Sequence, residues 1–194
     1  MTDKGWAVDW DAITTPGSLL LLMTTQLTPQ VEIAIRAGTA LLAGEGEKIQ
    51  NVSAFLASAS SAASFLWPSP MRHRELREAF PNRAADLRHV LGVADEEPAA
   101  LDKIRNDLIH IDERLEKLYL ANPNLSLMAW GASSKAATGT KILMSFDPAT
   151  GVLHSLDEEV NVKELVEWLI DLRKRLGRMF MPLLVKSPHI GGSA

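Results

Sequence analysis

The chain of 194 residues contains no cysteine. Disulfides, thiolate zinc sites and cysteine nucleophiles are thereby excluded, and the absence accords with a reducing compartment. Long apolar runs are missing too. The longest, Leu19 to Met23, falls far short of the roughly 20 residues that cross a bilayer, so no membrane association is expected. Nor is there an excess of positive charge: 24 acidic side chains outnumber 20 basic ones, and any nucleic-acid contact must be a local patch. The first residues carry early acids at Asp3, Asp9 and Asp11. A secretory signal has a basic start and a longer apolar stretch, so a cytoplasmic location is expected. No glycine pattern matches a phosphate loop. Gly44-Glu45-Gly46 reads as a helix–helix turn and Gly191 to Ala194 as a frayed end. There is no internal repeat and no low-complexity linker.

What is present is an ordinary globular composition, 46% apolar and 23% charged, in a length that fits one domain. Residues 1–28 read as an irregular arm, with Pro16-Gly17 marking a turn. Trp6 and Trp10 on that arm are expected to fold back onto the core. Helical spacing of Val31, Ala34, Ile35, Leu41 and Leu42 predicts a first helix. Ile49, Val52, Leu56, Ala59, Ala63 and Leu66 predict a second over about 47–67, whose many Ala and Ser residues imply close packing. Two short helices split at Pro81 follow, over 71–91. A regular helix then spans 98–120 and ends at Asn122-Pro123, because the residue before proline avoids helical geometry.

The pattern changes after residue 124. Leu125 to Trp130 alternates weakly and Lys141 to Phe146 is strand-like. Asp147-Pro148-Ala149-Thr150-Gly151 is a turn signal, followed by Val152 to Ser155. This predicts a β-hairpin within about 125–155, with a third strand beside it. Asn161 and Glu164 have capping-box spacing for a last helix ending near Met181, before Pro182. Val162, Leu165, Val166, Leu169, Leu176 and Phe180 form its expected buried stripe. The fold class is therefore mainly α: a bundle of four to five helices over 29–185, with an inserted β-hairpin before the last helix and a tail at 186–194.

Helix 98–120 carries the chemistry of greatest interest. Leu101, Ile104, Leu108, Ile111, Leu115 and Leu118 form one narrow core stripe at 100° per residue. Asn106, His110, Glu113 and Lys117 fall on the opposite face, while Arg105 and Asp112 lie on a flank. His110 thus faces solvent, a partner or a ligand. A merely solvated face is the plain alternative.

The string Arg105-Asn106-Asp107-Leu108-Ile109-His110 resembles the Arg-polar-x-x-x-His signature of the HEPN superfamily (higher eukaryote and prokaryote nucleotide-binding domains). The resemblance spans residues 30–120 and the last helix, and makes the hairpin an insertion. It implies a homodimer in which motif helices meet across a two-fold axis. It also implies metal-independent endoribonuclease chemistry, as in toxin–antitoxin systems, with no cofactor. His110 would move the proton of a ribose 2′-hydroxyl and Arg105 would clamp the phosphorane. Asn106, Asp107 and Asp112 would support the site or bind phosphate. One departure stands out: Asp112 occupies the place where the best-known subgroup has tyrosine. With Glu113 it sets negative charge beside a phosphate site. The alternative expectation is accordingly a non-catalytic helical dimer that binds a nucleotide, a protein partner or an antitoxin.

Other constellations compete. Asp86-Leu87-Arg88-His89 and Asp107-Leu108-Ile109-His110 are both acid-x-x-His, which on two helices can contribute to a di-metal centre. Only Glu32, Glu45 and Glu47 are available from the first helices, so no metal is expected. Arg72, Arg74, Arg77, Arg83 and Arg88, and again Arg173, Lys174, Arg175 and Arg178, form basic groups. They are either phosphate-tracking surfaces or solvated faces.

Overall fold

The computed structural model describes residues 8–68, 74–103, 111–121, 126–128, 130, 140–155 and 158–186. Six helices are defined among them: α1 (Gly17–Ala43), α2 (Lys48–Leu66), α3 (Arg74–Ala79), α4 (Arg83–Leu91), α5 (Ile111–Ala121) and α6 (Val162–Lys186). Residues 99–103 are also helical. The chain is mainly α, with a small antiparallel sheet ahead of the last helix, as the hydrophobic periodicity predicts.

Helix α1 begins at Gly17, so residues 17–28 are not an irregular arm. Leu20, Met23, Thr24, Leu27, Val31, Ala34, Ile35, Gly38 and Leu41 recur at three and four residues and are all buried. Pro29 sits inside this helix and removes the bond its N–H would give to the Thr25 carbonyl. That break costs about 3 kcal/mol. Burying Leu20, Met23 and Leu27 on its N-terminal side returns about 1.5–3 kcal/mol each, which outweighs it. The arm proper is short, and Trp10, in a 3₁₀ turn (Trp10–Ala12), packs against the core as expected. Trp6 lies outside the described residues.

At its other end α1 stops on Gly44, whose φ of 70° is left-handed, and Glu45 N–H donates back to the Ala40 carbonyl at 2.8 Å. Helix α2 then returns along α1, with Val52, Phe55, Leu56, Ala59, Ala62, Ala63 and Leu66 buried. Ile49, expected in this stripe, lies in the first turn of α2 and is 57% exposed. The close approach is concrete at Gly38. A Cβ there would lie 2.9 Å from Phe55 Cε2 and nearer still to Val166 Cγ2, so α1, α2 and α6 meet where only glycine fits.

Helix α6 opens with the predicted capping pair. Glu164 N–H donates to Asn161 Oδ1 (3.2 Å), and Asn161 Nδ2 donates to Glu164 Oε1 (2.9 Å). It runs antiparallel to α1, placing Val166 by Gly38 and Arg173 by Glu32. It also passes through Pro182 to Lys186 instead of ending near Met181. Leu183, fully buried, rewards the continuation. Phe180 was expected in the buried stripe but is 44% exposed; Leu172, Met179 and Leu183 complete that stripe instead.

The sheet has the order β3-β4-β5, from Met144–Asp147, Val152–Ser155 and Glu158–Asn161. Phe146, Leu153 and Val160 stand opposite one another across the three strands, all at most 3% exposed, and give the sheet its inner face. The β3–β4 turn closes with Gly151 N–H on the Asp147 carbonyl (2.8 Å) and Gly151 at φ 70°. The third strand is therefore β5 and not residues 125–130. The expected strand 141–146 is split at Leu143. Its first part, β2 (Thr140–Ile142), pairs in parallel with β1 (Ser126–Met128).

Of the helix expected over 98–120, residues 98–103 and 111–120 are described. Pro98 starts it by accepting from the N–H groups of Leu101 and Asp102, and α5 ends at Ala121, next to Asn122-Pro123. Leu101 is fully buried, whereas Leu115 and Leu118 are half-buried. Among the described residues no helix is long and apolar enough to cross a membrane.

Candidate functional site

Arg105, Asn106, Asp107 and His110 fall in 104–110, outside the described residues. Asp112 lies in the first turn of α5, beside exposed Glu113. The approach to the motif is defined. Leu101 is in the core, and Lys103 Nζ meets Glu158 Oε2 of β5 at 3.1 Å. The segment entering Arg105 is thus tied to the sheet.

The acid-x-x-His pair of α4 does not converge. Asp86 is buried whereas His89, one turn on along α4, is exposed. The Asp86 carboxylate is already engaged. Its Oδ2 accepts from Thr15 Oγ1 (2.6 Å), Thr15 N (2.8 Å), Thr14 Oγ1 (3.0 Å) and Thr14 N (3.1 Å). Burial by itself pushes this carboxyl up. The four hydrogen bonds favour the charged form more strongly and hold it below the usual carboxylate range. Asp86 is a latch that fixes the entry to α1 onto α4. Nothing in the sequence signals it, because the partners are 71 and 72 residues apart. Among the described residues no three acidic or histidine side chains are grouped to hold a metal.

Much of the basic surface is also engaged. Arg88 Nη1 donates to the Leu66 carbonyl (2.5 Å), the last of α2, and its Nε and Nη2 reach Asp95 Oδ1 at 3.2 and 3.1 Å. Trp67 Nε1 donates to the Asp95 backbone oxygen (2.7 Å), and the Trp67 ring lies 6.0 Å from that of Trp168. Arg175 Nη1 donates to the Gly92 carbonyl (2.5 Å) at the C-terminus of α4, and its Nε pairs with Asp171 (2.7 Å). Both arginines sit where a helix's C-terminal partial charge favours a cation. Arg173 pairs with Glu32 across α6 and α1 at 3.5 Å. Arg88 and Arg175 thus tie helix ends together. Arg72 lies outside the described residues.

Comparison of the chain with protein-family models, curated proteins and solved structures yields no match.

Proposed function

We propose that this chain is a HEPN-like protein that cleaves RNA without a metal, using Arg105 and His110 from two copies of the chain. The observation that carries the reading is the string Arg105-Asn106-Asp107-Leu108-Ile109-His110, flanked by helical residues 99–103 and 111–121. On a continuous helix, residues five apart are separated by about 140° and about 7.5 Å along the axis. One protomer's pair is therefore too divergent to grip a single phosphate. A two-fold axis through the motif helices supplies a second Arg and a second His, and restores convergence.

The chemistry suits these groups. Neutral His110 takes the 2′-hydroxyl proton as that oxygen attacks the adjacent phosphorus. Arg105, permanently charged and forked, stabilises the added negative charge. Incubating purified protein with mixed RNA in EDTA tests the reading. Cleavage by the native chain, absent from His110→Ala, is expected; equal intactness of RNA with both proteins defeats it.

A second reading rests on Asp112 and exposed Glu113, whose charge repels phosphate next to the motif. In it the dimer is a non-catalytic module binding a nucleotide or a protein partner. It predicts intact RNA together with a stable dimer in solution, and a monomer that retains no partner argues against it.

A further inference from the structure

We infer that the cleft between α1, α2 and the start of α4 binds a small monocarboxylate with an apolar stem, held by Arg83. This cleft, about 250 Å³, is lined by Met23, Ser61, Ser64, Phe65 and Arg83. It is remote in the chain from Arg105 and His110, and the inference is independent of their role.

The decisive feature is the state of Arg83. It is half-buried, its Nε is shut off from solvent, and its guanidinium has no hydrogen-bond or ion-pair partner among the described residues. Arg88 and Arg175, partly buried in the same protein, each satisfy two or more acceptors. Asp86, one turn along α4 from Arg83, is held by both threonines through Oδ2 and forms no ion pair with Arg83. A desolvated guanidinium N–H with no acceptor is unfavourable, and a ligand acceptor removes the penalty.

The rest of the lining defines the ligand. Met23 and Phe65 give an apolar wall, and methionine adapts its shape to an irregular stem. The Ser64 hydroxyl is spent on the Ser60 carbonyl (3.0 Å). The Ser61 hydroxyl has no partner among the described residues and can donate to the ligand. One cation and one free hydroxyl match a single carboxylate, which takes the planar fork edge-on once the guanidinium turns to present Nε and an Nη. A phosphate dianion asks for more donors than the lining offers. The volume lies below the roughly 300–1,000 Å³ of drug-sized sites, so the stem is a few carbons long.

The test is an NMR titration of the full chain with hexanoate, run beside hexanol (same stem, no charge) and inorganic phosphate (charge, no stem). Hexanoate should saturably move the Met23 methyl, Phe65 and Arg83 Nε–H resonances. Hexanol and phosphate should bind at least tenfold more weakly. Arg83→Gln should weaken hexanoate tenfold or more, and Ser61→Ala several-fold, the latter deciding the matter should Arg83→Gln fail to fold. Equal binding of hexanol or phosphate, unsaturable shifts, or unchanged affinity in both variants would overturn the proposal.

Discussion

Thr15 gives Asp86 two hydrogen bonds on one carboxylate oxygen, from its backbone N–H at 2.8 Å and its hydroxyl at 2.6 Å, across 71 residues of chain. Thr14 repeats the pattern at 3.1 and 3.0 Å. Hydrogen bonds to a charged acceptor are worth about 1.5–3 kcal/mol, and a buried donor left unmatched costs a similar amount. Asp86→Asn, which keeps the shape and loses the charge, is expected to lower unfolding free energy by about 1–3 kcal/mol. Thr15→Val removes one donor and should do less. Urea unfolding at neutral pH reads both as a lower midpoint with an unchanged slope.

The same latch sets a pH dependence. Asp86 has a folded pKa below its unfolded value, so it binds fewer protons when folded. Its stabilisation is complete above the unfolded carboxylate pKa of about 3.9, and is lost as pH falls through the lower folded value. The stability gap between native chain and Asp86→Asn should therefore be constant from neutral pH to about 5 and close in more acid solution. A gap that widens on acidification would contradict this assignment.

Two glycines make opposite predictions from the same helical chemistry. Replacing a mid-helix glycine by alanine gains about 0.8–1.0 kcal/mol of helix propensity. Nothing lies within 4 Å of a Cβ at Gly177, so Gly177→Ala should raise the melting temperature. At Gly38 the added carbon strikes Phe55 and Val166, and overpacking of about 1–3 kcal/mol exceeds the gain. Gly38→Ala should destabilise and Gly38→Val more so, measured by thermal unfolding.

The role of Arg88 and Arg175 separates a structural surface from a polyanion-binding one. Arg88→Gln leaves the Leu66 carbonyl and Asp95 without their cationic donor, and Arg175→Gln does the same to Gly92 and Asp171. Each is expected to cost about 1–3 kcal/mol in denaturant unfolding while leaving RNA affinity unaltered. Unchanged midpoints with weakened RNA binding would reverse the assignment.

The elements legible in the sequence were those where one local rule acts alone. The Asn161–Glu164 cap, the Asp147–Gly151 turn and the helix ends at Gly44 and Ala121 each follow from neighbours a few residues apart. What escaped were cases where tertiary burial overrides a local signal. Pro182 reads as a helix stop, yet α6 continues to Lys186 and buries Leu183, and residues 17–28 read as an arm although Leu20, Met23 and Leu27 are buried there in α1. The division of 140–147 between two sheets was invisible because period-two alternation is the same in both. For the site, periodicity predicts His110 opposite a core stripe and Arg105 on a flank, and both lie outside the described residues. The Asp86 latch and the unanswered Arg83 guanidinium had no signal, since each depends on contacts between distant segments.

The end groups of cleaved RNA test the central claim most directly. Transfer to the neighbouring 2′-oxygen leaves a 2′,3′-cyclic phosphate on one fragment and a 5′-hydroxyl on the other, with no metal required. The native chain in EDTA should yield these ends, spare an oligonucleotide whose target ribose lacks the 2′-hydroxyl, and lose activity by several orders of magnitude in Arg105→Ala and His110→Ala. Cleavage of the 2′-deoxy substrate, fragments ending in a 5′-phosphate, or full activity in either variant would contradict the account.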